Sequence, residues 1–518
     1  MVAQSEAKPE AGLLRSSAVV GVMTTLSRVL GLVRDVVIAG YFGSKSEADA
    51  FFVAFKIPNF LRRLFAEGAF SQAFVPVLSQ YKSQSGREQV RQLVDSVAGT
   101  LGGVLLSVTA FGVVAAPLLV MLFAPGFHDL PVKLALAGDM LRITFPYLLL
   151  ISMTAFCGSI LNSYGRFAVP AFTPVLLNLC LIGATLFFTS MFEQPVMALA
   201  WGVLVAGIVQ LLFQVPFLWR LGLLPRPRWQ PRHEGVKRIM TLMLPALFGV
   251  SVSQINLLLD TVLASFLQTG SISWLYYSDR LSELPLGIFG IAIGTVILPS
   301  LSRRQAENRP EAFSRTLDWA IRLVLLIGLP SALALFVLAE PLIATIFHYG
   351  AMQDRDVMMA AMSLRAYASG LLAFMLIKVL APGYFARQDT KTPVRIAIKA
   401  MVANMVLNLI LVWPLQHAGL ALATSLSAVL NAGLLYWGLR QAGVFELQPG
   451  WVPYLVRLLL ANLAMVAVLL WLVAGVDAWL QWDWLRRSTE MALLVGAGLV
   501  TYGAVLLLSG ARPRQFRH

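Results

Sequence analysis

From Ala400 to Leu439 the chain runs forty residues without a formal charge. A membrane-spanning helix needs about 20 consecutive apolar residues. The run is interrupted once, at Trp413-Pro414-Leu415-Gln416-His417-Ala418-Gly419, so it reads as two membrane helices joined by a tight turn. Similar charge-free runs occur at 96–127, 143–165, 167–192, 194–219, 239–259, 284–302, 323–339, 458–476 and 491–511. Composition points the same way: 58% of the 518 residues are hydrophobic and 13% are charged, against roughly 45–50% and 25% in soluble domains. A soluble enzyme, a disordered chain and a disulfide scaffold are excluded. A transmembrane barrel would alternate polar and apolar residues rather than run apolar. Cys157 and Cys180 sit in apolar runs and are expected to pack, not to pair. The five histidines are scattered, so no metal site is expected. The polar first residues lack a short apolar core with a cleavage site, and no removable signal peptide is expected.

The expected fold is an all-α polytopic membrane protein of fourteen spans, at about 17–43, 49–79, 93–123, 134–162, 168–192, 196–219, 239–267, 272–302, 316–339, 357–386, 392–413, 418–439, 453–476 and 488–510. The loops test that count. With the N-terminus inside, 26 of the 40 Lys and Arg residues fall on cytoplasmic segments and 7 on outer ones, Lys133 among the latter. Such an excess marks the cytoplasmic side, so both termini are expected there.

The chain also repeats. Asp35-Val36-Val37-Ile38-Ala39 returns as Asp260-Thr261-Val262-Leu263-Ala264, Pro76-Val77-Leu78-Ser79 as Pro299-Ser300-Leu301-Ser302, and Gly158 to Pro170 as Gly383 to Pro393, at offsets of 225, 223 and 223 residues. Six spans separate the copies, an even number, so the two halves run in the same direction. This is a parallel pseudo-two-fold repeat, a common transporter plan. The expected divisions are an N-lobe (1–219), a basic linker (220–238), a C-lobe (239–440), and a final pair of spans with a tail (441–518).

Seven cations are left inside the spans: Arg28, Arg34, Lys56, Arg62, Arg63, Arg280 and Lys378. Each costs about 2.5–3.5 kcal/mol at the bilayer centre, roughly 20 kcal/mol for seven facing lipid. They must be paired or face water. Most lie on three spans: Arg28, Arg34 and Asp35 on the first; Asp49, Lys56, Arg62, Arg63 and Glu67 on the second; Asp279, Arg280 and Glu283 on the eighth. Arg28 and Asp35 are seven apart and nearly eclipsed, as are Asp49, Lys56 and Arg63, and Arg63 can pair with Glu67 at i+4. Buried ion pairs fixing helix register would account for such charges, and Arg63–Glu67 fits that reading best. Arg62 and Arg280 lack an acid at i±4, though Glu283 stands at i+3 of Arg280, and Arg34 lies off the Arg28–Asp35 line; Arg28, Arg34, Arg62 and Arg280 fit a substrate role better. Arginine's planar fork matches phosphate oxygens, so the expected substrate is an anion, a phosphate or pyrophosphate. A second, fainter site is expected around Asp260, the one formal charge in the middle of span 7, with Asn404, Asn408 and Thr424. A carboxylate with amide and hydroxyl oxygens suits a coupling Na⁺ or H⁺, or the Asp is simply hydrogen-bonded to polar neighbours.

The motifs now complete a resemblance. Ser27-Arg28-Val29-Leu30-Gly31 with Arg34-Asp35, Asp49 through Asn59, Leu61 through Pro76, Val250 through Gln254, Tyr276 through Leu281, Lys378 through Gly383 and Gln448 through Trp451 resemble the MurJ/MviN family of lipid II flippases, in the superfamily of multidrug and polysaccharide exporters. The resemblance covers nearly the whole chain. It implies two six-helix lobes around a V-shaped cavity, with two further helices lining a groove for the lipid tail. The implied substrate is lipid II, an undecaprenyl-pyrophosphate-linked disaccharide-pentapeptide carried to the outer leaflet by alternating access in the bacterial inner membrane. It assigns the substrate contacts to Arg28, Arg34, Arg62 and Arg280, and important acids to Asp35, Asp49, Glu67 and Glu283. It implies no enzyme activity, no cofactor and no nucleic-acid partner; membrane lipids and the cell-wall synthesis machinery are the expected partners. The energy source is expected to be a coupling Na⁺ or H⁺ or the membrane potential. The alternatives are an exporter of another polyprenyl-linked glycan or of drugs, and a membrane glycosyltransferase using Asp129, Glu340, Asp354 and Asp356. Those four lie on short loops with no large outer domain, and a drug exporter would carry more cavity acids than arginines.

Overall fold

The computed structural model describes residues 7–64 and 70–510, with side chains described outside 7–18, 245–246, 248–253, 257 and 290–295. Glu67 of the expected Arg63–Glu67 pair lies outside the described residues. All regular secondary structure among the described residues is helical, and the chain divides into two compact units, Met1–Thr269 and Gly270–His518.

The first unit contains α1 (Ala7–Phe42), α2 (Ser46–Arg62), α3 (Ser71–Gln84), α4 (Arg87–Val114), α5 (Ala116–Phe123), α6 (Pro131–Thr144), α7 (Tyr147–Ser163), α8 (Ala168–Gly183), α9 (Met197–Leu221) and α10 (Glu234–Ser265). Its core forms where Phe70, Phe74 and Phe156 meet, with ring centroids 5.1–6.1 Å apart, and Leu218, Leu223 and Ile239 close the cluster. α10 packs against α3, α4 and α5, and the amide of Gly126 donates to Ser265 Oγ at 3.0 Å. α10 thus packs within the first compact unit, which ends at Thr269.

The second unit contains α11 (Ser271–Pro285), α12 (Ile291–Ala306), α13 (Pro310–Val337), α14 (Ala339–Phe347), α15 (Asp354–Phe385), α16 (Lys391–Gln441), α17 (Trp451–Leu472), α18 (Val476–Gln481) and α19 (Trp484–Leu508). Leu317, Val379, Tyr384, Leu435 and Phe445 form its core. α16 is 51 residues long, and non-helical backbone at Gln416 (φ 50°, ψ −130°) divides it inside the turn expected from Trp413 to Gly419. α17 and α19 pack on α13 and α14.

Nine of the described helices are long and apolar enough to cross a membrane. Val114 (82% exposed), Trp471 (82%) and Leu508 (87%) point outward from them, as lipid-facing residues must. The chain is thus a multi-pass membrane protein. Four expected spans do not reach that mark as single described helices. The span 17–43 is helical but carries Arg28, Arg34 and Asp35, and 239–267 is described only in part. The spans 49–79 and 272–302 are each interrupted by a wider, π-type turn, at Arg63–Leu64 and at Leu286–Gly290.

Prolines inside these helices each remove one backbone donor, and in lipid the freed carbonyl needs another partner. Pro58 cannot donate to the carbonyl of Ala54, which instead accepts from Thr144 Oγ1 at 3.1 Å. Pro174 leaves Pro170 O to Thr173 Oγ1 at 2.8 Å. Pro330 leaves Leu326 O to the Tyr502 hydroxyl at 2.7 Å, which also docks α19 on α13.

Two carboxylates hold the loops that follow α9 and α16. Asp95 on α4 accepts the backbone N–H of Arg226 at 2.7 Å. Asp318 on α13 accepts that of Gln448 at 3.2 Å and the indole N–H of Trp451 at 2.6 Å. Arg322 pairs with Asp318 at 2.7 Å and lies over the Trp451 ring, fixing the start of α17.

Candidate substrate-binding site

The expected site residues on α1 separate into two environments. Arg34 and Asp35 are 5% and 1% exposed. Arg34 donates to Asp35 Oδ1 through Nε (2.9 Å) and Nη2 (2.7 Å), and to Asn178 Oδ1 through Nη1 (3.0 Å). Asn178 Nδ2 in turn donates to the carbonyl of Ser27 at 2.9 Å, so one amide ties α8 to two turns of α1. Arg28 shares the Asp35 side of the helix, but it is Arg34 that pairs with Asp35, because a long guanidinium can fold back onto its chain neighbour. Arg28 is exposed and lines a cleft of about 460 Å³ between α1, the end of α7 and the start of α8, whose walls include Ser27, Asn162, Phe167 and Pro174.

On α2, Asp49 is buried and pairs with Lys133 of α6 at 2.9 Å, the ammonium lying 4.4 Å from the Phe127 ring centroid. Lys133 is thus a buried partner and not the loop charge expected from its place in an outer segment; no spacing rule links two residues 84 apart. Arg62 closes α2, where its Nε donates to Asn59 Oδ1 at 3.2 Å. Lys56 is half-buried and Arg63 exposed. The arginine pair stands at the π-type turn that interrupts the expected single span.

In the second unit, Arg280 on α11 lies against Tyr276, with Nη2 3.2 Å from the hydroxyl and the guanidinium 5.1 Å from the ring centroid. Its contact with Glu283 is long, at 3.5 Å, and both side chains are solvent-accessible in part. Such an exposed pair contributes little stability. Asp279 is half-buried beside it.

Of the four residues expected around a coupling ion, three meet on α16. Asn408 Nδ2 donates to Asn404 Oδ1 at 3.0 Å, and Asn404 Nδ2 reaches Thr424 Oγ1 and Ser427 Oγ, both at 3.4 Å. Asp260 belongs to α10 of the first unit and is half-buried. Sequence reasoning missed Asn178, Asn59 and Tyr276. For Asn178 there was a signal, the lone carboxamide in the middle of span 168–192.

A family model described as "Lipid II flippase MurJ" matches residues 38–489. The chain belongs to the MurJ family. A probable lipid II flippase MurJ of Vibrio cholerae serotype O1 is 51% identical over 98% of both chains. The lipid II flippase MurJ of Burkholderia cenocepacia is 42% identical over 95% of this chain and 96% of its own. Among solved structures, a lipid II flippase MurJ in an inward closed conformation superposes with a TM-score of 0.78 at 26% identity, covering 95% of this chain and 99% of that one. An inward-facing multidrug transporter of the MATE family matches at a TM-score of 0.65 and 15% identity, a likeness of fold alone. MurJ family membership makes the chain a transporter, not an enzyme.

Proposed function

We propose that this protein is a lipid II flippase, moving the undecaprenyl-pyrophosphate-linked disaccharide-pentapeptide from the cytoplasmic to the periplasmic leaflet of the inner membrane by alternating access. The observation that carries this reading is full-length identity to family members, 51% over 98% of both chains. In the proposed mechanism, Arg28, Arg34, Arg62 and Arg280 hold the pyrophosphate, and Asp35, Asp49, Lys56, Arg63, Glu67, Asp279 and Glu283 set the charge around them. Arg28 on a cleft wall supports the assignment most directly, and the partly solvent-accessible Arg280 fits it. Arg34 is held by Asp35 and Asn178, so it would bind substrate by exchanging those partners. Release requires that the arginines bind the anion less well in the outward state. Alanine at Arg28, Arg34, Arg62 or Arg280 abolishes complementation of a depleted strain while the protein accumulates normally; full complementation by Arg280→Ala would contradict the assignment.

The finer architecture belongs to the same proposal: fourteen spans, both termini cytoplasmic, and two six-helix lobes in parallel repeat. The paired loop clamps support it. Asp318 follows Asp95 by 223 residues, the offset of the sequence signatures, and each binds a backbone amide of the loop after its sixth span. The membrane potential drives an anionic headgroup outward when the inside is negative. Asp260, Asn404, Asn408 and Thr424 are the proposed coupling site for Na⁺ or H⁺. An Asp260→Asn variant loses the ion dependence of transport; retained wild-type dependence would remove this site. A cell-wall polymerase is the partner expected to consume the delivered lipid.

A further inference from the structure

The linker after α9 is strapped to α4. Asp95 accepts the Arg226 amide on its carboxylate at 2.7 Å and the Arg228 amide on its carbonyl at 3.0 Å. The Ser96 hydroxyl donates to Gln230 Oε1 at 2.7 Å. The backbone of Arg228 and the ring of Trp229 fill the space where Cβ atoms would stand on Gly99 and Gly103, so only glycine admits them.

This attachment fixes the depth of the strap. Arg87, Glu88, Arg91 and Asp95 charge the first turns of α4, and from Ser96 the helix has no charge to its end. The charge-free run that starts at Ser96 continues past α4 to Phe127, longer than the about 20 residues a bilayer core needs, so its first two turns lie at the interface. Trp229 is 63% exposed with its ring on Gly103, two turns further along a helix long enough to cross the membrane. Indole in that position suits the membrane interface. Arg220, Arg226, Arg228, Arg232, Lys237 and Arg238 all remain exposed, with Glu234 the one acid among them. A row of cations held at this level meets the phosphates of lipid headgroups. The Trp229 ring stands on a helix long and apolar enough to cross the membrane, where lipid and not nucleic acid is the neighbour.

We propose that the strap is a binding surface for anionic phospholipid headgroups, preferring them over zwitterionic ones. The full-length protein is reconstituted in phosphatidylcholine nanodiscs doped with spin-labelled phosphatidylglycerol or spin-labelled phosphatidylcholine, and the motionally restricted fraction is read by EPR. The wild type restricts phosphatidylglycerol preferentially, and the preference collapses near 1 M salt, where the Debye length is about 3 Å. The Arg226→Gln/Arg228→Gln/Arg232→Gln variant loses most of the preference. Asp95→Ala, which keeps every cation but releases the strap, lowers it as well. Arg303→Gln/Arg304→Gln, at the end of α12, leaves it unchanged. Absence of a preference in the wild type, or an equal preference in the triple variant, would overturn the proposal. So would an equal loss in the Arg303/Arg304 variant, since net charge alone would then suffice. Retention of single-stranded RNA at the same arginines without headgroup selectivity would overturn it too. Circular dichroism and monodispersity confirm folding of each variant.

Discussion

At the scale of single residues, the chain solves a problem that proline creates in a membrane. A proline inside a helix frees a carbonyl that water cannot reach, and at Pro58, Pro174 and Pro330 a hydroxyl from a neighbouring turn or helix answers it. Thr144 serves Ala54, and Tyr502 serves Leu326. An unsatisfied buried acceptor costs about 1–3 kcal/mol. Thr144→Val and Tyr502→Phe each lower stability by about that amount, measured by thermal or denaturant unfolding in detergent, while Ser107→Ala, at an exposed hydroxyl bonded within its own helix, changes it little. The same residues show the limits of sequence reading. Arg34, Arg62 and Arg280 stand out because the spans of this chain as a whole carry so few charges. Their partners do not stand out: Asn178 is 144 residues from Arg34, and no periodicity joins them.

At the scale of elements, helix positions follow from hydropathy, and helix interruptions do not. The expected 168–192 and 196–219 meet α8 with its π-type extension and α9 closely. The expected 49–79 and 272–302 miss their interruptions, because a π-type turn leaves the apolar pattern intact and shifts only its phase. Short extra helices also escaped. α14 and α18 are nine and six residues long, below the length at which periodicity is visible. Both are held by Arg487 of α19, which is 4% exposed and donates to the carbonyls of His348, Trp479 and Leu480 at 2.7–2.8 Å. Its Nη2 also donates to His348 Nδ1 at 2.8 Å, so His348 carries its proton on Nε2, 2.8 Å from Asp354. Burial first, and then the Arg487 charge, hold His348 below its ordinary pKa despite Asp354 and Asp356. The unfolded chain takes up this proton before the folded one as pH falls. The contribution to stability is therefore complete above the ordinary imidazole pKa of about 6.5 and is lost as pH falls through the lower folded value. The thermal midpoint of the wild type falls between about pH 7 and pH 5, and His348→Gln flattens that slope; identical slopes would refute the linkage.

At the scale of the whole molecule, composition decides the solvent and loop charge suggests the orientation. Of 40 basic residues, 26 sit on segments expected to be cytoplasmic, and that asymmetry holds only if the helix count is right. α10 follows the basic linker in sequence and packs with the first unit, because the apolar face of a helix, and not the loop before it, decides its neighbours. The central claim is that the molecule carries a lipid-linked pyrophosphate across the bilayer. Its most direct test is the leaflet distribution of lipid II, measured by outside accessibility to an impermeant reagent after rapid depletion of the protein. The account predicts that lipid II accumulates on the inner leaflet and escapes the reagent. Lipid II that stays accessible from outside while glycan synthesis stops would contradict it and point to a later, polymerising step.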